Sequence, residues 1–396
     1  MLRTTPFHSR TAPLVEAQNW RRWAGYIVAS SYELLHDREY FAIRNSAALI
    51  DVTPLFKYRI TGTDAEKLLN RVITRDVRKQ KIGQVFYTPW CDEDGKMLDD
   101  GTLHRFGEND FRLTAADPSY RWLLENAWGL DVEIADESEA VAALAIQGPT
   151  ARDILKQLVS GIDLDGLKYY RLAHGELAGM PVTISRTGYT GDLGYEIWMN
   201  AEDAEATWDC LIQAGEGYQI TPAGILALDI ARVEAGLFMV EVDYVSSRHA
   251  LIEAQKSSPY EMGLGWAVDL KKGNFVGRKA LIAESKREPE WRFVGIEMDW
   301  PSLEKVYNEV GLPPRVSATT WRTSIPVYVE GMQIGYGSSG CWSPLLKKNL
   351  ALAHVKAEYA EPGTPVDMEI TVEHQRKTAK AKVVKTPFFD PERKRA

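Results

Sequence analysis

The chain has 396 residues, 45% of them hydrophobic and 26% charged, with a formal net charge of −8. That length exceeds one ordinary core, so about two or three domains are expected. The mixed, mildly acidic charge argues against nucleic acid as the main partner. No stretch approaches the ~18 apolar residues needed to cross a bilayer, so no membrane partner is expected, and the first residues lack the apolar core of a signal peptide. Cys91, Cys210 and Cys341 are scattered and form neither a zinc nor a disulfide framework. A reducing, cytoplasmic setting fits that usage. Cys91 and Cys341 sit beside glycine-containing turns with no histidine nearby in sequence, and nothing assigns them a role. The seven histidines are dispersed, so no metal site is expected. No Gly-x-Gly-x-x-Gly follows a strand, which leaves no dinucleotide fingerprint.

In chain order, residues 55–60 alternate like a strand, and Gly62-Thr63 then opens a helix. Thr63 or Asp64 is placed to cap it, and Leu68, Leu69, Val72 and Ile73 form its apolar stripe. Residues 85–87 read as a strand, joined through an Asp94-Gly95 turn to residues 96–98. Residues 111–115, 132–134 and 142–146 are further short runs. A helix follows from Thr150, with Ile154, Leu155, Leu158 and Val159 inward and Gly161 as its stop. Residues 181–185 and 195–199 flank a glycine-punctuated turn, after which Asn200 with Asp203 resembles a capping box. A helix over residues 225–234 stops before Gly236, and a turn over 273–277 feeds another over 278–284. The charged, proline-containing stretch 285–290 reads as a boundary. Beyond it, short β-rich runs at 293–298, 326–329, 335–337, 350–354 and 366–372 predict a small barrel or sandwich. The basic run Arg393-Lys394-Arg395 reads as a frayed end.

The turn over residues 186–196 holds the most chemistry: Tyr189, Tyr195 and Glu196 with glycines at 188, 191 and 194. Side chains alternate across a strand. If Ile197 and Met199 face a core, Glu196 and Trp198 share the other face, and Tyr195 goes inward. A carboxylate beside a flat aromatic surface suits a planar heterocycle with a guanidine-like edge.

The whole set of motifs resembles a known family. It comprises Thr5-Pro6-Phe7; Asp51-Val52-Thr53 followed by Lys57; Tyr87 with Gly95-Lys96-Met97-Leu98-Asp99-Asp100; Ile146-Gln147-Gly148-Pro149; and the turn just described. Arg232-Val233-Glu234-Ala235-Gly236, Gly263-Leu264-Gly265-Trp266, Asn274-Phe275-Val276-Gly277-Arg278 and the run Ser339-Gly340-Cys341-Trp342-Ser343-Pro344 follow. In this order the chain resembles the tetrahydrofolate-dependent aminomethyltransferases, the T-protein of the glycine cleavage system, and their demethylase and dimethylglycine-oxidising relatives.

The resemblance implies an α+β, three-domain cloverleaf around a central hole that takes tetrahydrofolate, with a C-terminal small β-barrel. It divides the chain into a folate-binding region over 1–285, with two subdomains, one roughly 51–140, and a barrel over 290–390. It implies Asp99, rather than Asp100, as the catalytic carboxylate. It implies Tyr87, Tyr189, Glu196, Arg232 and Trp266 as cofactor contacts, with a surface salt bridge to Asp229 or Glu234 as the other reading of Arg232.

Two departures point toward the donor. Leu228 stands where the family's first arginine would be, and leucine supplies neither its charge nor its donors. Lys57 follows a Thr53-Pro54-Leu55 segment that lacks the T-protein's histidine. Lys57 and Leu228, with an aromatic wall of Trp23, Trp90 and Trp342, are therefore the expected donor contacts. The implied activity is methyl transfer from a small methylated donor to tetrahydrofolate, an O-, S- or N-demethylation. The alternatives are a true aminomethyltransferase, which would need a lipoyl carrier protein, and a folate-binding regulatory protein without turnover. Neither the donor nor the oligomeric state is encoded in a motif.

Overall fold

The computed structural model describes residues 2–396. Three packed units and a small N-terminal sheet, Asn19–Trp23, Tyr26–Ser31 and Arg3–Thr4, make up the described chain. The first unit is built on a seven-stranded sheet ordered Val159–Ser160, Leu172–Leu177, Met180–Ser185, Gly194–Asn200, Val141–Gln147, Ala48–Asp51 and Thr221–Pro222. Both faces of the central strand Val141–Gln147 are covered, which explains its unbroken apolar sequence. Ala142, Leu144 and Ile146 pack with the helices Ala151–Lys156 and Ala204–Gly215. Ala143 and Ala145 pack with Asp37–Asn45 and Ile225–Glu234.

The second unit is a five-stranded sheet, Val85–Cys91, Met97–Gly107, Asp110–Ala115, Phe56–Thr61 and Glu133–Asp136, closed by the helices Ala65–Val72 and Tyr120–Asn126. Leu68, Leu69 and Val72 enter its core, as their spacing predicts. The cap differs: the Asp64 carboxylate accepts from the Asp131 amide at 3.0 Å, pinning the chain before Glu133–Asp136 instead of the helix end. Two other expectations are also corrected. Val159 begins a short edge strand instead of continuing a helix, and Asn200 leads into a 3₁₀ turn, Ala201–Asp203, without a side-chain cap.

The third unit is a closed six-stranded barrel, Trp291–Met298, Lys348–Lys356, Met332–Ser343, Ile325–Val329, Pro365–Val372 and Gln375–Val384. The helix Trp300–Asn308 lies beside it, capped by the Asp299 carboxylate, which accepts from the Ser302 amide at 2.9 Å. This is the mixed helix-and-strand architecture with a small C-terminal barrel that the sequence suggested. Among the described residues, no helix is long and apolar enough to cross a membrane.

The tail beyond the barrel is not frayed. Residues 386–396 run back across the first unit and end in a turn, Glu392–Lys394. The Arg393 guanidinium donates to both oxygens of buried Asp192, at 2.7 and 2.9 Å.

Candidate functional site

A cavity of about 870 Å³ lies where the units meet, walled by residues from Trp23 to Thr386. The strand Gly194–Asn200 supplies one wall. Ser185 lies opposite Glu196 and Thr183 opposite Trp198 in the antiparallel pair. Alternation then puts Tyr195, Ile197 and Met199 into the core and Glu196 and Trp198 onto the cavity. One Glu196 oxygen accepts from the Thr187 hydroxyl and, at 3.5 Å, from that of Ser185. The Trp198 indole N–H donates to the same serine at 3.1 Å. The other Glu196 oxygen has no partner among the described residues. Burial raises the pKa of Glu196, and the two hydroxyls pull it partly back.

The turn keeps its shape because Gln147 threads it. A Cβ on Gly188 or Gly194 would lie 2.1 or 2.2 Å from the Gln147 amide, so any side chain there would have to displace that amide. The Gln147 amide donates to the Thr187 carbonyl at 3.2 Å and accepts from the Thr190 hydroxyl at 2.7 Å. Tyr189 lines the cavity, and its hydroxyl donates to the Phe238 carbonyl.

The facing wall comes from Met97–Gly107. A bulge at Leu98, between the pairs Cys91–Met97 and Trp90–Asp99, sets which aspartate points where. Asp100 lines the cavity. Its carboxylate accepts from the Tyr87 hydroxyl at 2.8 Å and from the Tyr244 hydroxyl at 2.5 Å. Burial raises its pKa, opposed by those two donors. Asp99 points the other way, is 1% exposed, and accepts from the amides of Asp100, Ala116 and Asp117 at 2.8–3.0 Å. Burial, then the neighbouring Asp100 charge, pushes its pKa well up. The carboxylate that meets the cavity is therefore Asp100, and Asp99 ties its strand to the loop that follows Asp110–Ala115.

Of the other expected residues, Tyr87, Leu228 and Trp266 also reach the cavity. Trp266 is 64% exposed at its mouth, with the Arg75 guanidinium 5.4 Å from its ring centre. Trp23 lines the apolar side together with Val52, Leu55 and Phe293.

Four more residues do not reach the wall. Trp90 is fully buried in the core of the second unit. Trp342 packs on Trp300, ring centres 5.2 Å apart, outside the cavity. Lys57 is buried, and its ammonium donates to the carbonyls of Thr53, Leu55 and Ser138 at 2.7–3.3 Å. Burial, then Arg112, lowers its pKa to about 7. It braces the segment that carries Val52 and Leu55 without touching a ligand. Arg232 is fully buried and pairs with Asp229 at 2.8 Å and with Asp243. This is an internal ion network, neither a surface bridge nor a cavity contact.

Sequence reasoning set Asp100 aside in favour of Asp99 and did not name Tyr170, Phe238 or Tyr244. Tyr170 reaches the cavity through a left-handed backbone turn, φ 59°. Phe238 and Tyr244 lie in an irregular loop with no periodicity to read. Among the described residues no cluster of His, Cys, Asp or Glu is placed to hold a metal ion.

Residues 5–272 match the family described as the GCVT N-terminal domain, and residues 310–390 match the glycine cleavage T-protein C-terminal barrel domain. An aminomethyltransferase of Bacillus pumilus is 34% identical over 98% of this chain and 99% of its own length. A trimethylamine-oxide aldolase of Ruegeria pomeroyi is 33% identical over 100% of the chain, which spans only 48% of that longer protein. The crystal structure of glycine cleavage system aminomethyltransferase T from Bartonella henselae superposes with a TM-score of 0.82. It is 24% identical, and the match covers 98% of this chain and 99% of the other. The chain belongs to the glycine cleavage T-protein family.

Proposed function

We propose that the chain is a tetrahydrofolate-dependent one-carbon transferase that takes a methyl group from a small methylated donor. The observation that carries this reading is Glu196. One oxygen is fixed by hydroxyls, and the other faces an aromatic-lined cavity without a protein partner. A pterin edge offers the paired N–H donors that such a carboxylate accepts, and Trp198, Tyr170 and Tyr189 offer flat surfaces beside it. The residues present thus fit the group.

When bound, tetrahydrofolate supplies the nucleophilic nitrogen. The chain's own contribution is to hold, orient and exclude water. Glu196 fixes the heterocycle, and proximity then supplies much of the rate. Asp100, clamped by two phenols, is a preoriented negative charge that stabilises positive charge developing on nitrogen. Trp23, Val52, Leu55, Leu228 and Phe293 give the donor an apolar wall suited to a methyl group. Leu228 in place of an arginine, together with a match of the whole chain to about half of a relative named for trimethylamine oxide, supports a methylated donor. The aminomethyltransferase names of near-full-length relatives support the alternative, an aminomethyl donor on a lipoyl carrier.

The test is incubation with tetrahydrofolate and a panel of O-, S- and N-methylated donors, scored for 5-methyltetrahydrofolate. Methylene-tetrahydrofolate appearing only with lipoyl carrier protein would replace the demethylase reading by the aminomethyltransferase. Folate binding without product would leave a regulatory protein. Asp100→Asn is expected to cut turnover by at least about 100-fold with folate affinity little changed, whereas Asp99→Asn lowers the melting temperature. Normal turnover in Asp100→Asn, with loss in a stably folded Asp99→Asn, would return the chemistry to Asp99.

A further inference from the structure

We propose that residues 386–396 act as a strap that positions the cavity turn, with Arg393 as its positioning residue; this rests on reading the cavity as a folate site. The segment leaves the barrel and crosses the turn that carries Tyr189 and Glu196. Thr386 is itself part of the cavity wall. The Phe389 amide donates to the Glu234 carbonyl at 2.9 Å, and its ring lies 4.3 Å from the Arg44 guanidinium. Arg44 in turn donates to the Thr190 carbonyl at 2.9 Å and to Asp192 at 3.4 Å.

Asp192 has no side-chain exposure and sits between two guanidiniums, one from the first unit and one from the strap. Arg393 grips it with a paired, side-on contact, a geometry lysine cannot copy. Arg186, the first residue of the turn, is 2% exposed and donates to the carbonyls of Arg393 and Lys394 at 3.4 and 3.2 Å. Arg152 donates to the Tyr195 hydroxyl and to the Ala396 main-chain oxygen, both at 2.8 Å.

The strap therefore holds the turn at its entry, its tip and its return strand. None of these contacts touches the cavity except at Thr386. Their effect must pass through the backbone that fixes Tyr189 and Glu196. A barrel-borne segment thus sets the orientation of groups on the first unit. Ligand affinity should then depend on barrel docking, while the reacting groups around Asp100 stay unaffected.

The experiment compares full-length wild type, Arg393→Ala and Arg393→Lys by two measurements. The first is binding of 5-formyltetrahydrofolate, followed by tryptophan fluorescence. The second is amide hydrogen exchange of residues 187–194 without ligand. Arg393→Ala is expected to weaken binding about tenfold, in the range common for coupling between packed sites. It should speed exchange in the turn but not in the barrel strands, and Arg393→Lys should recover part of both effects. Once activity is measurable, KM for folate should rise with kcat nearly unchanged. Unaltered exchange and unaltered affinity in Arg393→Ala would overturn the strap. Uniformly faster exchange throughout the chain would also overturn it, since the role would then be general stability. If wild type fails to bind the probe but Arg393→Ala still frees the turn, the folate reading falls and the strap remains.

Discussion

His104 shows how one residue can carry a pH dependence without taking part in chemistry. It lies on the strand that bears Asp100, 1% exposed, with both ring nitrogens unpartnered among the described residues. Its ring meets Trp198 edge-on at 5.3 Å. Burial, then the nearby Arg112, lowers its pKa to about 3 from an ordinary 6.5. The unfolded chain therefore binds a proton that the folded chain refuses between those values. The associated stability is complete above pH 6.5 and is lost as pH falls toward 3. His104→Phe is expected to flatten the decline in unfolding free energy over that range by a few kcal/mol, measured by urea titrations at several pH values. An equally steep decline in the variant would show that His104 is not the group responsible.

At the same scale, the Asp99–Asp100 pair marks where sequence reading stops. Two adjacent aspartates on a strand face opposite ways, and a single extra residue decides which faces the cavity. The bulge at Leu98 has no local signature in Gly95-Lys96-Met97-Leu98. Glu196 and Trp198, by contrast, were placed by simple alternation, because their strand is regular and its other face is fully buried.

At the scale of elements, the turn over residues 186–193 depends on empty space. Gln147 fills the loop from inside, so a methyl group at Gly194 collides with it at 2.2 Å. Gly194→Ala is expected to destabilise the fold by about 1–3 kcal/mol, as overpacking does. Gly194→Ala with Gln147→Ala should recover part of that loss, since the obstacle is gone. Denaturation midpoints for the two single variants and the double variant test this, and strict additivity would show that the two residues do not compete for the same volume. Elements with a strong period were legible for the same physical reason: a buried face forces a pattern. Ile225–Glu234 matched its predicted bounds, with Ala227, Ile230 and Ala231 in the core. The strand Gln375–Val384 was missed because its inward residues are Ala379, Ala381 and Val383, interleaved with lysines. Small side chains at core positions carry little contrast.

At the scale of the molecule, the units are joined through shared charges. Asp229 on the helix beneath Leu228 accepts from Arg232 and from Arg322 of the barrel unit, each at 2.8 Å. Asp243 pairs with Arg232 and accepts from the Ser338 and Ser339 hydroxyls of the barrel at 2.5 and 2.6 Å. Arg322→Leu leaves buried Asp229 with one cation instead of two. A loss of about 1–3 kcal/mol is expected, below the range for a fully buried pair because Arg322 is 25% exposed. Scanning calorimetry should show a lower melting temperature and a barrel transition that separates from the rest. An unchanged single transition would mean that the barrel is held mainly by apolar packing. The ties to the barrel join residues 93–96 apart in sequence, beyond any local motif. Arg232 itself pairs with Asp229 and Asp243, 3 and 11 residues away, and its full burial makes that pair an internal tie instead of a surface bridge or a ligand contact.

The cavity wall is drawn from residues as far apart as Trp23 and Thr386. The binding space therefore exists only while all three units stay docked. Any molecule that fills it acts as a keystone: its affinity opposes every fluctuation that parts the units. At about a hundred times its dissociation constant such a ligand would stabilise the docked form by about 2.7 kcal/mol. For this chain, occupancy and cohesion are two readings of a single equilibrium.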